Sequence, residues 1–98
     1  MALTRTTIEV YYEDGREDVT VSDQRDQVML ERKFKVGFLN ALEDMPMQCW
    51  RFLAWASMRR TGKLEGVSFE DWDKTLIEAA PQQDETVDPT QPGASVTV

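Results

Sequence analysis

The chain has 98 residues, 41% of them hydrophobic and 30% charged, which suits one domain with a modest core and is too short for two. Its formal net charge of -7 disfavours binding to nucleic acid or to anionic membrane surfaces. The sequence has no histidine and only one cysteine, Cys49, so the commonest general base is missing and no internal disulfide can form. We therefore expect no enzymatic activity, no cofactor and no metal.

The start of the sequence, MALTRTTIEV, lacks the apolar run of a signal peptide. Nor does any segment approach the roughly 18 consecutive apolar residues that a membrane span requires. These features predict a protein that stays in the cytoplasm where it is made and does not contact a membrane.

The first predicted element is a β-hairpin. Residues 6–13 (TTIEVYYE) alternate apolar and polar side chains and are rich in β-branched and aromatic types, which is typical of a half-buried strand. Asp14-Gly15 suits a tight two-residue turn, and the chain then returns with Val19 and Val21 on one face. Because two strands alone are marginally stable, we expect helices to cover the apolar face of the hairpin.

A first helix is expected to begin at Ser22 as N-cap, with aspartates in its first turn, where negative charge suits the helix dipole. Leu30 and Phe34 form an apolar pair at helical spacing, and Gly37 is expected to end or interrupt the helix. The short apolar cluster that follows could form a single turn closing one end of the core; its members are Phe38, Leu39 and Leu42.

The second helix is the best defined of the predicted elements. It is expected to start with Pro46 at its first position, to run to Thr61 and to be capped by Gly62. Its apolar side chains do not form one stripe, since Trp50 and Trp55 fall on different sides. A helix that is apolar over so much of its girth must be buried from more than one direction.

A third helix of about three turns is expected to begin at Ser68, where the order Ser-Phe-Glu-Asp resembles a capping box. Beyond Ala80 the sequence has three prolines, three acidic residues and neither aromatic nor basic residues, so residues 81–98 are predicted to be a disordered acidic tail. The predicted fold class is α+β: a hairpin plus about three helices in one small core over residues 1–80.

The aromatic and basic residues of the helices are candidates for binding a partner. Tryptophan is enriched at interface hot spots, although small domains also bury it in their cores. The basic strip of the second helix (Arg51, Arg59, Arg60) could dock an acidic partner or the chain's own acidic tail, or could simply be solvated surface. The candidate partner-binding residues are Trp50, Trp55, Met58, Arg59, Arg60, Phe69 and Trp72.

The order of these elements resembles a known family. A hairpin with a DG turn precedes a helix containing LERKF, a Trp-rich helix (CWRFLAWASMRRTGK), a short SFEDW segment and an acidic tail. This pattern is similar to the tail assembly chaperones of long-tailed bacteriophages, particularly the short proteins encoded before the tape measure gene in phages of actinobacteria. The resemblance covers roughly residues 5–78, and its most telling segments are FLAWASMRRTG (52–62) and FEDW (69–72).

The resemblance implies a function that composition and periodicity do not. Such a protein would bind the tape measure protein in the host cytoplasm, keep its hydrophobic helices from aggregating until tail tube protein polymerises around them, and be absent from the mature virion. The family also commonly makes a longer product by ribosomal frameshifting. Two alternatives remain open: a structural head-tail adaptor or minor tail protein retained in the virion, and a small protein-binding regulator. The sequence is also compatible with self-association of the chain.

Overall fold

The computed structural model describes residues 5–82 and has an antiparallel three-stranded sheet with helices packed on one face. The predicted hairpin is confirmed as β1 (Thr6–Tyr12) and β2 (Glu17–Ser22). The expected two-residue turn is wrong in its length, because four residues, 13–16, connect the strands. Gly15 adopts φ 94° there, a backbone conformation that favours glycine. A third strand, β3 (Leu76–Pro81), pairs with the other side of β1, which gives the strand order β2-β1-β3. The α+β fold class with one compact core is thus confirmed.

The face of β2 that contacts the helices differs from the expected one. Val19 and Val21, respectively 49% and 42% exposed, lie on the outer face, whereas Thr20 and Ser22 are buried beneath the helices. These buried hydroxyls have partners: the Thr20 hydroxyl oxygen lies 2.7 Å from that of Ser57, and Ser22 donates to Asp26. A hydrogen-bonded hydroxyl can occupy a core position that an apolar pattern alone would give to valine.

The first helix, α1 (Gln24–Phe34), begins one residue later than expected. Asp23 is its N-cap and forms a capping box with Asp26, while Ser22 still belongs to β2. The helix ends before Gly37, because Lys35 adopts a left-handed conformation (φ 61°) and its N–H donates to the Glu31 carbonyl.

The apolar cluster after Gly37 is a helix of seven residues, α2 (Phe38–Asp44), and not a single turn. Gly37 has no side chain to cap it, but the Glu31 carboxylate accepts from the Phe38 N–H at 2.7 Å. The cap therefore comes from α1, which a reading of the local sequence would not find.

The Trp-rich helix is confirmed as α3 (Pro46–Arg60), with Thr61 as its C-cap. Eight of its residues are buried, and it contacts the sheet, α1, α2 and the short helix α4 (Phe69–Asp73). This central position accounts for its lack of a single apolar stripe: different sides of α3 meet different neighbours.

The predicted third helix is wrong in its length. Only Phe69–Asp73 is helical, with Ser68 as the expected N-cap, and the chain then enters β3. Leu76 and Ala79 are buried in β3, and the Gln82 N–H donates to the Thr7 carbonyl at 2.7 Å. The ordered fold thus includes residues 81 and 82, which were assigned to the acidic tail; the rest of that predicted tail, 83–98, lies outside the described residues.

Candidate partner-binding surface

Three of the seven candidate residues meet in a groove between α1 and α3. One lobe, of about 350 Å³, lies against Trp55, and an adjoining lobe of about 230 Å³ lies against Arg59 and Arg60. Met29 of α1 lines both lobes. We call this surface the α1/α3 groove; it is lined by Met29, Arg32, Lys33, Phe52, Trp55, Ala56, Arg59 and Arg60.

The floor of the groove is apolar and firmly held. Phe52 and Ala56 are buried, and the indole of Trp55, 7% exposed, donates to the Val67 carbonyl at 3.0 Å. The rings of Phe52 and Trp55 lie 5.4 Å apart, and both pack against Phe69. Met29, 38% exposed, is therefore the main apolar side chain that the groove offers to solvent.

The rim of the groove is cationic although the protein as a whole is acidic. The guanidinium of Arg59 lies 5.2 Å from the centre of the Trp55 ring, in a cation–π arrangement. Lys33 pairs with Glu70 at 2.9 Å, so much of its charge is already balanced. Within residues 5–82, Arg32 and Arg59 form no ion pair and are exposed.

Arg60 contributes to the rim but is held by the fold. It donates to both carboxylate oxygens of the fully buried Asp26, at 3.1 and 2.9 Å. The same carboxylate accepts from the Ser22 hydroxyl and the Asp23 N–H, and its bond to Arg60 raises the pKa of the guanidinium. We therefore regard Arg60 as a structural residue whose charge is locally compensated.

The other four candidate residues do not line the groove. Met58 and Trp72 are buried and line a different cleft, of about 440 Å³, where the Trp72 indole donates to the Tyr12 hydroxyl at 3.3 Å. Phe69 is part of the core, and Trp50 is half-buried against it. The seven residues thus do not form one surface, and the burial of Trp55 and Trp72 supports the alternative that these tryptophans serve the core.

Two of the three arginines in the basic strip donate hydrogen bonds to carbonyl groups of the edge strands. Arg51 donates to the Asp73 carbonyl at 2.9 Å and reaches the carbonyls of Leu76 and Ile77 in β3. On the opposite edge, Arg60 and Lys63 donate to the β2 carbonyls of Val21 and Val19. Only Arg59 of the strip remains on the surface without such a role among the described residues.

Sequence patterns missed the most exposed large apolar side chains of residues 5–82. Leu39, Met47 and Ile77 are 74%, 69% and 64% exposed, and none was selected as a candidate. Their exposure depends on how α2, α3 and β3 pack, which periodicity within one element does not reveal. None of them lines the α1/α3 groove.

The thiol of Cys49 is fully buried in α3, and burial raises its pKa to about 11, so little reactive thiolate exists near neutral pH. Among residues 5–82 there is no grouping of three or more Cys, Asp or Glu side chains that could hold a metal ion. The helices within that range are all too short or too polar to cross a membrane.

Comparison with protein-family models, curated proteins and solved structures finds no match to this chain.

Proposed function

We propose that this protein is a bacteriophage tail assembly chaperone that binds helical segments of the tape measure protein through the α1/α3 groove. The observation that carries the proposal is the position of Met29, half-exposed over the floor formed by Phe52 and Trp55. A flexible, polarizable methionine over a fixed aromatic floor can adapt to different apolar side chains of a client helix. The family resemblance supplies the identity of the client.

A small contact surface suits a transient partner. The side chains of the groove floor are already almost fully buried. A client could therefore bury little additional apolar surface, and the complex would be weak. Weak binding is useful to a chaperone, because the tape measure protein must be released when the tail tube protein assembles around it. A chaperone of this kind acts in the host cytoplasm and needs neither cofactor nor catalysis.

Co-expression with the tape measure protein tests the proposal. The wild-type protein should raise the soluble yield of the client, and Met29→Glu, which places a charge in the groove, should abolish most of this effect. The matched control is Leu39→Glu, because Leu39 is more exposed than Met29 and lies outside the groove. Equal losses from the two variants would place binding elsewhere, and no effect of the wild type would refute the chaperone function.

Mass spectrometry of purified virions separates the chaperone from a structural adaptor. A chaperone should be absent from the finished particle, whereas an adaptor or minor tail protein should be present in a fixed copy number. Presence at fixed stoichiometry would overturn the proposal even if co-expression improved the yield of the tape measure protein.

A further inference from the structure

We propose that the chain's own acidic segment, Asp84–Asp88, docks on the cationic rim of the α1/α3 groove and competes there with other ligands. The contact requires only this chain, so it can hold or fail independently of the chaperone function. The proposal depends on three features: the charge of the rim, the charge of the segment and the point at which the chain leaves the sheet.

The charges of the two surfaces are complementary. Arg32 and Arg59 are exposed on the rim and have no ion-pair partner among residues 5–82. The sequence that follows Gln82 carries three acidic residues within five positions and no basic residue through position 98; the acidic residues are Asp84, Glu85 and Asp88. Val87 lies between them and could approach Met29 when the carboxylates meet the arginines.

The chain leaves the sheet within reach of the groove. Gln82 is bonded to Thr7, which pairs with Val21 of β2, so two strand spacings of about 10 Å in total separate the segment from the edge that leads into α1. Met29 lies six residues beyond the cap Asp23, about 9 Å along the helix axis. The two residues from Val21 to Asp23 add about 7 Å, so these steps total about 26 Å, which is an upper limit on the straight distance from Gln82 to Met29. Six extended residues from Gln82 to Asp88 span up to about 20 Å, which is of the same order.

Tethering makes a weak contact effective. Exposed ion pairs are individually weak, too weak to hold a free peptide of this length. A short linker raises the effective concentration of the segment to roughly the millimolar range, so the docked state can be populated and still yield to a ligand that binds more tightly. The contact should weaken with salt, because its arginines are exposed to solvent.

Paramagnetic relaxation in the full-length chain tests the docking directly. A nitroxide is attached at Thr86→Cys, while the native Cys49 stays unlabelled because it is fully buried. At about 0.02 M salt we expect the NMR signals of the Met29 methyl and the Arg59 amide to lose intensity relative to the reduced, diamagnetic sample. The signals should recover at about 0.5 M salt, where the Debye length falls from roughly 20 Å to about 4 Å.

A pair of charge variants assigns the effect to the rim. Arg32→Gln with Arg59→Gln should abolish the broadening, whereas Arg16→Gln with Lys74→Gln removes the same charge from residues outside the groove and should leave it unchanged. Absence of broadening at low salt, or equal loss in both double variants, would overturn the proposal. Broadening of an isotope-labelled but nitroxide-free chain by a nitroxide-bearing one would also overturn it, since the occupant would then be a second copy.

Discussion

The buried carboxylate of Asp26 connects the sheet to the helices. It is fully enclosed and joins β2, α1 and α3 through Ser22, Asp23 and Arg60. We expect Arg60→Met to lower the free energy of unfolding by about 3 kcal/mol, because it leaves a buried charge without its counter-ion. Urea denaturation measures the loss. The neighbouring Arg59→Met serves as control and should change the free energy of unfolding by less than about 0.5 kcal/mol. Equal losses in the two variants would show that the Arg60–Asp26 ion pair makes no specific contribution to stability.

Asp23 makes stability depend on pH in the acid range. Its hydrogen bonds with Arg25, and the nearby charge of Arg60, lower its pKa from 3.8 to about 2 in the folded protein. The ionised form therefore stabilises the fold fully above about pH 4, and this contribution is lost as the pH falls towards 2. Asp23→Asn keeps a capping oxygen but removes the charge, so wild type and variant should differ in unfolding free energy at pH 6, and the difference should shrink as the pH falls below about 4 and vanish only below about pH 2. A constant difference across this range would contradict the role of the charge.

At the scale of elements, the sequence was most informative where a signal is local. The proline that opens α3 and the Ser68 cap both concern residues close in sequence, and both predictions are confirmed. The hairpin does turn at Asp14-Gly15, although its turn is longer than the expected two residues. The sequence did not indicate β3 because Leu76 and Ala79, three residues apart, fit one face of a helix, whereas a regular strand would place them on opposite faces. Both are buried because the pairing with β1 shifts register between Tyr11 and Tyr12. Pairing with the free edge of β1, which is distant in sequence, makes this segment a strand and not a helix.

Arg51 should determine how firmly β3 stays on the sheet. Its guanidinium reaches carbonyl groups on both sides of the passage from α4 to β3, which ties this edge strand to α3. We expect Arg51→Met to lower the opening free energy of the β3 amides by about 2 kcal/mol in hydrogen exchange, with a smaller change in the β1–β2 pairs. Arg16→Met, at the hairpin turn, is the matched control. Uniform loss of protection throughout the sheet would mean that β3 does not open separately.

At the scale of the whole molecule, the candidate surface could be predicted only in part. Trp55 is a candidate because tryptophan is enriched at interfaces, Arg59 and Arg60 because they belong to a basic strip, and the three do share the α1/α3 groove. Met29 and Arg32 complete that groove from α1, and no pattern within either helix indicates which side of α1 packs there. A surface built from two elements depends on their packing, which hydrophobic periodicity constrains without fixing.

The open face of the sheet makes protection of its edges important for the whole molecule. The outer face exposes Val19 and Val21, and the carbonyls of the same two residues point to the free edge of β2, where Lys63 and Arg60 bind them. An uncovered edge beside an apolar face invites strand pairing between copies. We therefore expect Lys63→Ala to increase concentration-dependent association, measured by light scattering, while the control Lys74→Ala, with the same change in charge, stays at the wild-type level. If both variants associate equally, the freed edge is not responsible, since of these two lysines only Lys63 contacts β2.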